Sequence, residues 1–91
     1  MDTFVARHVV VSGRVQGVSF RYLLEQEAVA AGVAGWVRNT PDGTVEAVLE
    51  GAPPAVDDVL AWMRHGPRDA VVGSVDVREV APQGLAGFVI R

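Results

Sequence analysis

Cysteine is absent from this 91-residue chain, and so is lysine: all eight basic residues are arginines. Without cysteine there is no disulfide, no thiolate nucleophile and no cysteine-ligated metal. The exclusive use of arginine has no functional reading. No apolar run approaches the roughly 20 residues of a membrane span. The opening Met1-Asp2-Thr3-Phe4-Val5 lacks the long apolar core of a secretory leader, so a cytoplasmic protein is expected. A positive balance is missing too. The net charge of -3 excludes the broad basic face of a general nucleic-acid binder, though not a local cationic pocket. Aromatic residues are scarce, and segments 9–11 and 45–49 contain none. The stacking platform of an RNA-binding sheet is therefore lacking.

What is present is apolar. Nearly half the residues are hydrophobic, enough for a folded chain with a two-layer core and short enough for a single domain over 1–91. The chain is organised around Gly13-Arg14-Val15-Gln16-Gly17-Val18-Ser19-Phe20-Arg21. An alternating run over 7–14, with Val9 and Val11 on one face, leads in as a strand. An amphipathic pattern over 20–31 leads out as a helix, with Phe20, Leu23, Leu24, Ala28 and Ala31 on one face and Gly32 as its stop. A strand turning through glycine into a helix start can hold an anion, because the first helical N–H groups have no internal partner and carry the positive dipole end. Gly17 permits positive φ, and Arg21 adds a planar fork suited to phosphate. The same residues also fit a tight turn capped by Ser19 with a solvated Arg21.

Segment 34–39 reads as a second strand. Thr40-Pro41-Asp42-Gly43 reads as a turn, and 44–50 as a third strand paired to the second, with Val45, Ala47 and Leu49 on one face. Asn39 ends the second strand. It fits turn initiation, or a fixed carboxamide that orients a water or a ligand oxygen. Pro53 and Pro54 suit a first helical turn, and Asp57 and Asp58 its positive end. Val56, Val59, Leu60 and Met63 form the buried stripe, and Gly66-Pro67 the end, of this second helix. A fourth strand over 71–80 is expected to be irregular near Gly73, where the valine phase changes. Pro82-Gln83-Gly84 reads as a turn, and Phe88 and Ile90 mark a short last strand. This order fits an α+β fold of the ferredoxin-like split βαβ type: an antiparallel sheet, two helices on one face and a short extra C-terminal strand.

The first motif, together with Gly35-Trp36-Val37-Arg38-Asn39-Thr40-Pro41-Asp42-Gly43-Thr44-Val45-Glu46, resembles the two signatures of the acylphosphatases. Their spacing, the chain length and the element order match as well. The resemblance implies hydrolysis of a carboxylic-phosphoric mixed anhydride to carboxylate and phosphate, without metal or cofactor. It implies that Arg21 binds phosphate and that Asn39 orients water. It implies that Val15, Gln16, Gly17, Val18, Ser19 and Phe20 form the phosphate-cradling loop. The expected enzyme is a monomer acting on a small acyl phosphate, with no nucleic-acid or membrane partner.

The chemistry is compatible, since an activated anhydride needs positioning and charge stabilisation more than a strong nucleophile. Gly17-Val18-Ser19-Phe20-Arg21 departs from a nucleophile elbow, and no His–Asp pair accompanies Ser19. Ser19 reads better as a cap or loop hydrogen-bond group. His8 and His65 read as solvated residues without metal-ligand spacing. Arg14, Arg38 and Glu46 read as surface charges that can pair, and Trp36 and Trp62 as packing residues. Two other functions compete. One is a module that binds phosphate without turnover, which would not need a water-orienting Asn39. The other is a domain of a larger carbamoyl-transfer enzyme, which an end at Arg91 disfavours.

Overall fold

The computed structural model describes residues 3–91; Met1 and Asp2, the start of the segment read for a leader, lie outside the described residues. The elements run β1 (Val5–Arg14), α1 (Phe20–Ala31), β2 (Ala34–Asn39), β3 (Val45–Gly51), α2 (Pro53–His65), β4 (Val71–Val80) and β5 (Phe88–Ile90). The sheet order is β4-β1-β3-β2-β5. Strands β1 and β3, β1 and β4, and β2 and β3 pair antiparallel.

The expected antiparallel sheet carries its short extra strand at one edge, where β5 runs parallel to β2. The reason is the route of the chain. Strand β4 lies at one edge of the sheet and β5 at the other. The connecting segment crosses at the Glu50 end of the sheet, so β5 must start where β2 starts. The buried Glu50 carboxylate holds this crossing, accepting the N–H of Gln83 at 2.7 Å and of Leu85 at 2.9 Å. Segment 82–84 is thus a crossing clamped by Glu50, with Gly84 at φ 74°, and not the hydrogen-bonded turn that Pro82-Gln83-Gly84 suggests.

Period two on the strands and period 3.6 on the helices meet in one core. Phe20, Leu24 and Ala28 of α1 and Val56, Val59 and Met63 of α2 are buried with Val9, Val11, Val37, Val45, Ala47 and Leu49 of the sheet. Leu23, Ala31 and Leu60 sit at the margin, half-buried. The Phe20 and Trp62 rings pack edge to face, 5.4 Å apart. The expected irregularity in β4 is a register shift between Ser12 and Gly13 that leaves Gly73 as the extra residue. A Cβ on Gly13, at φ 124°, would collide with the Val71 carbonyl.

Two surface expectations change. His8 is not simply solvated: its Nε2 meets Glu46 Oε2 at 2.6 Å, while Arg38 Nε donates to Glu46 Oε1 at 2.5 Å. The His8 contact first, and Arg38 second, hold the Glu46 carboxyl below the usual carboxylate range. Asp57 and Asp58 lie beyond the first turn of α2, because the helix already begins at Pro53.

Strand directions position the site. Strands β1 and β2 are both antiparallel to β3, and β5 is parallel to β2. The C-terminal ends of β1, β2 and β5 therefore emerge at the same end of the sheet. That end carries the loop after Arg14, Asn39, and Ile90.

Candidate active site

The loop that leaves β1 reaches α1 through two left-handed residues, Gly17 at φ 74° and Ser19 at φ 62°, ψ 25°. Ser19 is the only non-glycine residue with positive φ among the described residues. It occupies the cap position, but its side chain makes no capping hydrogen bond. An extended cap aims its oxygen at the N–H groups of the second or third helical residue, and a left-handed one does not. Its carbonyl still accepts the Leu23 N–H at 3.1 Å. The N–H groups of Gln16, Gly17, Val18 and Ser19 take part in none of the turn, loop or cap hydrogen bonds among the described residues. A loop alternating through left-handed residues into a helix start, with its donors uncommitted, has the features of an anion nest.

This loop forms one wall of a cavity of about 410 Å³ bordered by Val15, Gly17, Ser19, Phe20, Arg21, Tyr22, Asn39 and Ile90. Arg21 is the cation among them. Its Nη1 lies 3.4 Å from the Arg91 carbonyl oxygen, a long contact that commits little of the guanidinium. Asn39, the last residue of β2, brings a carboxamide to the same wall. Its Oδ1 is buried and has no hydrogen-bond partner, the one such side-chain atom among the described residues. A buried acceptor without a donor costs about 1–3 kcal/mol.

Two loop residues turn their side chains away from the cavity while their N–H groups stay uncommitted. Val18 packs against the core. Gln16 turns its carboxamide to the β2–β3 hairpin, where Nε2 donates to the Thr40 carbonyl at 2.8 Å and the Thr44 carbonyl at 2.9 Å. The hairpin is braced in turn. Asp42 accepts from the Thr40 hydroxyl, from the Thr44 hydroxyl at 2.8 Å and from the Thr44 N–H at 3.2 Å. These bonds, that of the Thr40 hydroxyl foremost, hold the Asp42 carboxyl below its usual range. Gln16 thereby ties the loop carrying the free N–H groups to the turn that follows Asn39.

Tyr22 and Ile90 as cavity-lining residues, and the Gln16 tie, are absent from the reading of the sequence. Tyr22 had a local signal, as the neighbour of Arg21 in the first helical turn. Ile90 had none, because β5 reaches the site only by crossing from the far edge. Arg91 follows it: its N–H donates to the Val37 carbonyl at 2.9 Å and its guanidinium lies 4.4 Å over the Trp36 ring. Trp36 is thus a stacking partner as well as a packing residue. Among the described residues no group of three or more His, Asp or Glu side chains is arranged to hold a metal ion.

The chain matches known proteins over nearly its whole length. A model of the acylphosphatase family matches residues 7–90. An acylphosphatase of a Nocardioides species is 58% identical over 90 residues, covering 99% of this chain and 91% of its own. The crystal structure of the acylphosphatase from Bacillus subtilis superposes with a TM-score of 0.92 at 35% identity, over 96% of this chain and 98% of that one. An acylphosphatase from Coxiella burnetii gives 0.93 at 34% identity, over 97% and 93%. Sequence and fold thus converge over nearly the whole length, and this chain belongs to the acylphosphatase family.

Proposed function

We propose that this protein hydrolyses acyl phosphates to a carboxylate and inorganic phosphate at the cavity between the β1–α1 loop and Asn39. The observation that carries the reading is that Asn39 lines the same cavity as Arg21 and the loop with uncommitted N–H groups. A phosphate-binding module would be served by the loop and Arg21 alone. A hydrolase also needs a group to fix the attacking water.

In this reading the free N–H groups of the loop and the Arg21 fork bind the equatorial phosphoryl oxygens. They stabilise the charge that develops there as the transition state is reached. Phe20 and Val15 form the buried floor, and Gln16 positions the loop from behind. The Asn39 carboxamide holds the water by a hydrogen bond, orienting its lone pair in line with the acyl oxygen that leaves. The new bond joins the water oxygen to phosphorus, and the bond from phosphorus to the acyl oxygen breaks with its electron pair. A dianionic acyl phosphate and water give a carboxylate and dihydrogen phosphate. The two protons of the water end on phosphate, and no protein base is consumed. The activated leaving group supplies the driving force, so the chain's own residues need only bind, orient and neutralise. No metal or cofactor is invoked. We further read the 91 residues as one domain acting as a cytoplasmic monomer on a small molecule, with neither nucleic acid nor membrane as partner. In support, no helix among the described residues is long and apolar enough to cross a membrane, and the net charge is -3.

The test is steady-state hydrolysis of benzoyl phosphate in the presence of chelator, with inorganic phosphate as competitive inhibitor. Asn39→Ala is expected to lower kcat about a hundredfold, the scale of a misplaced reactant, while phosphate inhibition survives. Arg21→Ala is expected to lose both. An Asn39→Ala protein with unchanged kcat and a lowered melting temperature would make Asn39 a turn residue only.

A further inference from the structure

The cavity is larger than the phosphoryl group needs, and its wall is of two kinds. The polar groups gather on one side: the loop backbone, Arg21 and Asn39. The floor belongs to Val15 and Phe20, which are 1% and 2% exposed and offer little free surface. Two side chains remain, Tyr22 and Ile90. Tyr22 stands beside Arg21 in the first turn of α1 and is 55% exposed. Its hydroxyl accepts a hydrogen bond from Gln26 Nε2 at 2.9 Å, one helical turn on, which restrains the side chain on the rim. Ile90 is partly buried and ends a strand anchored just beyond it by the bond from Arg91 N to the Val37 carbonyl. An exposed ring and a restrained branched aliphatic side chain thus border the same mouth from two different elements. Neither carries a charge. Among the lining residues Arg21 is the only charged one, and the phosphoryl group claims it.

From this division we infer that Tyr22 and Ile90 form the acyl subsite and select uncharged, apolar acyl groups, aromatic ones above all. The inference rests on the functional reading above and adds the substrate class. A flat aryl group laid on Tyr22 and against Ile90 removes apolar surface of both partners from water. A small acyl group reaches neither. An acyl group bearing a carboxylate or an ammonium finds no counter-charge in this wall and loses hydration on entering it. Hydrophobic discrimination of this kind is worth about 10- to 200-fold in kcat/KM.

The experiment compares benzoyl phosphate with acetyl phosphate in wild type, Tyr22→Ala and Tyr22→Phe. Comparing the ratio of the two kcat/KM values between proteins cancels the intrinsic reactivities of the anhydrides. Tyr22→Ala is expected to reduce the benzoyl-over-acetyl preference about tenfold, through a raised KM for benzoyl phosphate. Tyr22→Phe, which retains the ring, is expected to restore the preference. Because Tyr22 is exposed, an unchanged far-ultraviolet spectrum and melting temperature should accompany both variants. A preference in Tyr22→Ala equal to that of wild type, or equal losses on the two substrates, would overturn the subsite while leaving the hydrolase reading intact. A wild-type protein that hydrolyses neither substrate would overturn both.

Discussion

The two helices begin at opposite ends of the sheet and treat their N-termini in opposite ways. Helix α2 follows Ala52, an extended cap at φ -62°, ψ 139°, with Pro53 and Pro54 as its first residues. Proline has no N–H, so two of the donors that a helix start leaves unpaired are simply missing. Helix α1 keeps all of its donors. It is entered through left-handed Gly17 and Ser19, has no acidic residue in its first turn and carries Arg21 there instead. Neither start has a side-chain cap. Both helices have the same dipole by construction, yet only α1 opens onto the cavity. The dipole therefore does not make a site. Uncommitted donors, a backbone bent to aim them, and a neighbouring cation do.

The comparison breaks most severely at Arg21. If its fork and not only its charge matters, Arg21→Lys should lose about 3 kcal/mol of transition-state stabilisation, on the order of a hundredfold in kcat/KM. Near-normal turnover on benzoyl phosphate would reduce Arg21 to a source of charge. Gln16→Ala attacks the aim of the loop and not its donors. It removes two hydrogen bonds, although the Thr40 carbonyl keeps the Gly43 N–H and the Thr44 carbonyl the Thr40 N–H, so a stability loss of about 1–2 kcal/mol in urea titration is expected. A fall in kcat of about tenfold should accompany it as the loop loosens against Asn39. Unaltered kcat at reduced stability would show that the tie serves the fold alone.

Ser19→Gly makes a finer cut. The left-handed backbone at φ 62° disfavours any Cβ by about 1–2 kcal/mol, so glycine should raise the melting temperature while turnover is retained, the side chain making no cap bond. Loss of activity with the loop intact would give the hydroxyl a role in binding. The smallest effect belongs to α2. Replacing Pro53 or Pro54 with alanine restores a donor but supplies no bend and no arginine. The cost should be below about 1 kcal/mol, mostly through the unfolded state, with kcat/KM unchanged. An amide titration should show phosphate perturbing residues 15–21 and not 52–56; a second response at α2 would make the dipole a sufficient cause after all.

The difference between the two starts was visible in the sequence: Gly17-Val18-Ser19-Phe20-Arg21 keeps its donors, and Ala52-Pro53-Pro54 deletes them. So was the ladder of Val9, Val11, Val45, Ala47 and Leu49, since alternation and helical period are local properties. The Ser19 side chain shows where such reading stops. Its residue type suggests a cap, but its left-handed backbone, held between a strand and a packed helix, removes the geometry on which capping depends.

Element order, the turn at Thr40-Pro41-Asp42-Gly43, the loop with Arg21, and Asn39 at a strand end followed from the sequence by itself, because each rests on neighbours within a turn or two of chain. Four things were decided only in three dimensions. Strand β5 joined β2 in parallel, Ile90 entered the cavity wall, Gln16 tied loop to hairpin, and Asn39 Oδ1 was left buried without a partner. Each depends on contacts between segments far apart in the chain. Packing and strand direction select such contacts among many that local pattern leaves equally open.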